Sequence, residues 1–169
     1  MNVEGGTVTF THAFNVEDGV RVLVSGASMV SDLLADASLH HGDAEAEAIA
    51  VLTNNGALDL NDLANVDPAD IAFLGSVNDI ANDAETDAFN VAIEAATGEE
   101  KVALQNGKIK NKVLKLEATV IELQAKAAQG EDTAAKLAAE QKKLDNNIAL
   151  DAAAAGQPST KLSFDASTA

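Results

Sequence analysis

In three successive stretches between Leu74 and Ala155, a set of apolar residues recurs at intervals of three and four, or of their sum. A spacing near 3.5 puts them on one stripe of an α-helix, and no strand can reproduce it. Asp67 is a natural cap and Pro68 suits a first helical position, so the first helix starts there. Its seam is Leu74, Val77, Ala81, Ala84, Ala88, Val91 and Ala95, and Gly98 interrupts it. Thr97 with Glu100 reads as a capping box for the next helix, whose seam is Val102, Ile109, Val113, Leu116, Val120, Leu123 and Ala127. Gly130 ends that helix. A third carries Leu137, Leu144, Ile148, Ala152 and Ala155, closed by Gly156 and Pro158. Short connections make such helices fold back as antiparallel neighbours.

The rest of the chain is less regular. Asp43 is placed to cap a short helix with Glu45 and Glu47 in its first turn, stopped by Asn54-Asn55-Gly56. Residues 16–37 carry two patterns. Val20, Val22 and Val24 alternate as in a strand, whereas Val16, Val20, Leu23, Ala27, Val30, Leu34 and Ala37 follow a helical face; the longer pattern favours a helix. Thr7–Phe10 and Lys161–Phe164 alternate polar and apolar residues, which suits two short strands tying the ends together. The expected fold is therefore mostly α, one helical domain over residues 1–169. It has a three-helix antiparallel core, additional N-terminal helices and a two-stranded ribbon from the termini, 1–10 with 160–169.

Composition narrows the chemistry. Of the 169 residues 47% are hydrophobic but only 3% aromatic, with no Trp and no Tyr, so no aromatic hot spot or sugar-stacking face is expected. Absence of cysteine removes disulfides, thiolate metal sites and thiol catalysis. No run nears the roughly 18 apolar residues of a membrane span. The net charge of −16 repels phosphate backbones and argues against nucleic acid as partner. It is unevenly placed: residues 1–100 hold 19 acids and one base, Arg21, whereas residues 101–169 hold 10 lysines and 8 acids. Solubility accounts for this simply; attraction between the halves, within or between molecules, is the alternative.

No catalytic signature in the chain completes its own pattern. Gly107-Lys108 resembles the end of a phosphate loop, but Val102 and Ile109 stand where Gly and Ser/Thr are required. Gly26 to Val30 lacks the second glycine of a nucleophile elbow. His12 stands apart, and adjacent His40 and His41 make a poor chelate. Asp79, Asp83 and Asp87 form a row read as a solvated face, with loose cation binding left open. The stretch Asp59–Asp70 misses the calcium-loop pattern, with Leu63 and Ala64 at its fifth and sixth positions. Lys108, Lys110, Lys112 and Lys115 are read as spread over several directions, a solvated flank or a surface docked on the acidic half of this or another molecule.

The strings Glu85–Asn90, Leu104–Leu116 (LQNGKIKNKVLKL), Ala127–Asp132, Leu137–Leu144 and Asn146–Asp151 resemble a group of fungal small secreted proteins over roughly residues 57–165. That resemblance implies an exported, helical, cysteine-free protein with no assigned activity, its leader lying outside this sequence; Met1–Gly6 has no leader character. It carries over no functional residue. The resulting expectation is an extracellular, non-catalytic interaction or surface-associated protein. It has no catalytic, cofactor or metal residues, and its possible partners are a cell wall, a host surface or itself. A self-assembling structural protein and an enzyme with an unrecognised site are the alternatives. Seams of Ala, Leu, Val and Ile leave no polar cleft to expect, and carboxylates on wet faces should keep ordinary pKa values.

Overall fold

Asp67 and Pro68 begin a helix as read: the Asp67 carboxylate accepts from the Ala69 N–H at 2.8 Å. The computed structural model describes residues 42–53, 56 and 58–162, together with the backbone of 11–14 and 22–25. Its elements are β1 (Thr11–Phe14), β2 (Val22–Ser25), α1 (Ala44–Leu52), a 3₁₀ turn (Leu63–Asn65) and α2 (Pro68–Asp83). A π-helical stretch (Ala84–Phe89), α3 (Asn90–Ala95), α4 (Gly98–Ala128) and α5 (Ala134–Ala153) follow. The described chain is thus mostly helical.

The long helix α4 is the hub. Helices α1, α2 and α5 all lie against it, and α1 also touches α5. Val113, Leu116, Val120 and Leu123 are buried as their seam requires, but so are Leu114, Ala118 and Ile121 on other faces. A stripe predicts one covered side; α4 is covered on several because it has three helical neighbours.

The π stretch shifts the phase of the preceding helix. Leu74, Val77, Ala81 and Ala84 are buried in register, but the next core residue is Phe89 and not Ala88. One extra residue in a π turn rotates everything beyond it by about 100°. Ile93 and Ala96 then face the core, whereas Val91 of the expected seam is 61% exposed. Val102, at the start of the α4 seam, is also exposed, as are Ala127, Ala152 and Ala155.

Several local expectations are corrected. Thr97 is the cap of α4 but makes no side-chain cap bond, so the capping box does not form. Asp43 likewise makes none for α1. That bond comes from across the fold: Asp151 Oδ2 of α5 accepts from the Ala44 N–H at 3.0 Å. Val22–Ser25, inside the stretch read as a helix, is a strand paired antiparallel with Thr11–Phe14, Thr11 opposite Ser25 and Phe14 opposite Val22. Valine alternation wins there over the longer helical pattern. The ribbon expected from the two ends is not seen at Lys161 and Leu162, which belong to no strand. The chain instead straps across α4, with Thr160 N–H bonded to the Ala103 carbonyl at 3.0 Å and Leu162 against the core. Thr7–Phe10, His40, His41 and residues 163–169 lie outside the described residues.

Candidate functional site

The π stretch that shifts the helix phase also aims Glu85 at α4. Lys108, Lys112 and Lys115 stand at i, i+4 and i+7 of that helix, so they share one face. Their ammonium groups converge on the Glu85 carboxylate at 3.5, 3.5 and 2.6 Å. The lysine run read as dispersed is therefore split. Three members make a compact cradle, and Lys110, at another angle, is buried in an ion pair with Glu47 of α1 at 2.7 Å. Both contacts join the basic half to the acidic half of the same molecule.

Charge sets the state of Glu85. Burial pushes its pKa up, but the hydrogen bond from Lys115 and the charges of Lys115, Lys112 and Lys108 outweigh that and hold it below the ordinary carboxylate value. It is a fixed anion, unsuited to general-base work near neutral pH. Lys108 and Lys115 also donate to Asn90 Oδ1 (2.6 Å) and Asn82 Oδ1 (3.4 Å).

Beside this cradle α2, α4 and α5 border an open groove of about 430 Å³. Helix α2 contributes Asn78 and Asn82, with Glu85 just beyond it; α4 contributes Lys112, Lys115 and Leu116; α5 contributes Glu140, Lys143 and Asn147. Asn78 is oriented by donating to Thr119 Oγ1 at 2.7 Å, and Asn147 by donating to the Lys143 carbonyl at 2.8 Å, which leaves each amide oxygen as an acceptor. Lys143 and Glu140 pair at 2.8 Å. This overturns the expectation that apolar seams leave no polar cleft. A helix buried on several faces must bring its polar flanks inside the assembly as well as its seam. Nothing in a one-dimensional pattern shows which flanks meet.

Carboxylates are not all ordinary either. Glu117 lies in α4 under α1, only 6% exposed, and its Oε2 has no hydrogen-bond partner. Burial, reinforced by the charge of Glu45, pushes its pKa up to about 7. Of the row Asp79, Asp83 and Asp87 the first and last are exposed and Asp83 is half-buried, and Asp59 and Asp62 bond Asn61 and Asn65 as turn residues do. Among the described residues no group of three His, Cys, Asp or Glu side chains is arranged to hold a metal. None of the described helices is long and apolar enough to cross a membrane.

The string Leu104–Leu116 divides between core residues and cross-links to other elements. Leu104, Val113, Leu114 and Leu116 are core residues. Asn106 Nδ2 donates to the Pro158 carbonyl at 2.7 Å and Asn111 Nδ2 to the Ala81 carbonyl at 2.8 Å. Gly107 lies where the strap crosses, and a Cβ there would stand 2.0 Å from the Thr160 carbonyl oxygen. The glycine read against a phosphate loop is there for close backbone approach.

Residues 37–163 match the sequence model of a family described as Domain of unknown function (DUF8454). No curated protein and no solved structure matches the chain.

Proposed function

The chain belongs to the DUF8454 family, whose description names no activity, and from that premise we propose that it is a non-catalytic interaction protein with the α2–α4–α5 groove as its contact surface. The observation that carries this reading is the groove's lining. It presents oriented amides and ammonium groups, which recognise, and its carboxylate Glu85 is held as an anion by three lysines, which disables it as a base. An extracellular setting follows the likeness to fungal small secreted proteins and is part of the same proposal.

Self-assembly is the less favoured reading, because the lysines that complementary halves would exchange between molecules already pair within one, Lys110 with Glu47 and Lys115 with Glu85. The test is capture of cell-wall glycans and surface proteins on the immobilised chain, read by mass spectrometry, beside an Asn82→Trp variant that fills the groove. Specific capture by the wild type that is lost in the variant supports the reading. Equal capture by both overturns the groove as the contact surface.

A further inference from the structure

Lys112 is the side chain in the groove with capacity to spare. Its Nζ lies 3.5 Å from Glu85 Oε1, attracted by charge but beyond good hydrogen-bond length. Among the described residues it donates no hydrogen bond, in contrast to Lys108, which donates to Asn90, and Lys115, which donates to Glu85. An ammonium has three donors to place. Four ammonium groups, those of Lys108, Lys112, Lys115 and Lys143, face two carboxylates, Glu85 and Glu140, so the groove and its cradle are locally positive in a chain of net charge −16. Such a pocket draws an anion, and the fixed Glu85 carboxylate bars a diffuse polyanion from lying flat along the cradle.

Around the lysine the remaining groups ask for hydroxyls. The oxygens of Asn78 and Asn147 are left as acceptors, and Asn82 has an amide nitrogen that donates to no described residue. With about 430 Å³ and no aromatic ring in its lining, the groove has the size for one or two sugar-sized units and no stacking platform. We infer that the groove binds a compact polyol carrying one oxyanion, a sugar acid or a sugar phosphate, with Lys112 on the oxyanion and Asn78, Asn82 and Asn147 on the hydroxyls. This rests on the groove being the contact surface and names the ligand class it takes.

The experiment is amide NMR titration of the full chain with glucuronate, glucose 6-phosphate and neutral glucose, repeated with Lys112→Gln and Asn82→Trp. Shifts confined to the groove with either oxyanion, at least about tenfold weaker affinity in Lys112→Gln and loss in Asn82→Trp support the assignment. Response to one oxyanion alone supports it and identifies carboxylate or phosphate as the source. Binding should also weaken as salt rises. No groove response to either oxyanion, or an equal response to glucose that Lys112→Gln leaves unchanged, overturns it. If the oxyanions fail while Asn82→Trp still abolishes capture of surface material, the ligand class is wrong and the groove stands; if both fail, both readings fall.

Discussion

Two glycines inside helices make opposite predictions, and their surroundings decide the sign. Replacing glycine by alanine in a helix interior favours folding by about 1 kcal/mol through backbone entropy alone. At Gly75 of α2 a Cβ would meet nothing within 4 Å, so Gly75→Ala should stabilise by roughly 0.5–1 kcal/mol. At Gly107 it would stand 2.0 Å from the Thr160 carbonyl oxygen and 3.1 Å from the Phe89 ring. Backbone must then shift, and Gly107→Ala should cost about 1–3 kcal/mol despite the better propensity; urea unfolding of the two variants checks both signs. Glu117 ties the stability of the fold to pH. Its folded pKa of about 7 stands above the ordinary 4.5, so the folded chain holds a proton that the unfolded chain releases between those values. Its contribution is full below about pH 4.5, falls as pH rises towards 7 and is lost above it, a difference of roughly 3 kcal/mol. Glu117→Gln should flatten the slope and leave the variant more stable than the wild type at about pH 8. Equal pH slopes for the two proteins would show that the carboxyl is not buried as described.

The short helix α1 depends on a contact that its own sequence does not contain. Its first N–H is held by Asp151 of α5, and Gly42, at φ +75°, lies so close to Ala155 that a Cβ there would crowd its methyl. Asp151→Ala should therefore loosen α1 at a cost of about 1–2 kcal/mol, whereas Asp43→Ala, at the position that looks like the cap, should cost under about 0.5 kcal/mol. Hydrogen exchange should show α1 amides losing protection in the first variant and keeping it in the second; the reverse pattern would restore the local cap. Pro68, Gly130 and the buried seam of α4 were legible because helix ends and stripes are local properties. The cap from Asp151 was not, because the two partners are 107 residues apart. The π stretch was not either, since nothing in Ala84–Phe89 announces an extra residue, and every seam position after it moved. The lysine cradle was half legible: the i, i+4, i+7 spacing of Lys108, Lys112 and Lys115 puts them on one face, but their meeting point on Glu85 depends on that π turn.

The net charge of −16 is carried by two halves of the chain that differ sharply in charge. Opposite halves invite association between molecules, and the structure shows an internal use for that attraction. Lys110 meets Glu47, and Lys108, Lys112 and Lys115 meet Glu85, so bases from the second half neutralise acids from the first within one chain. Exchange of these pairs between molecules would gain no new contact and would cost the entropy of association. What remains outward is mostly negative, and like-charged surfaces repel over about 10 Å at 0.1 M salt. The partly buried pairs at 2.6–3.5 Å are screened much less than this surface repulsion. Moderate salt should therefore raise the melting temperature rather than lower it, because it relieves repulsion between surface acids while leaving the internal pairs largely intact. Light scattering should show a monomer across a wide concentration series, at low salt as well as at moderate salt. A mass that grows with concentration at low salt and falls back on adding salt would mean that the halves do pair between molecules, and would put self-assembly ahead of the groove as what this fold is for.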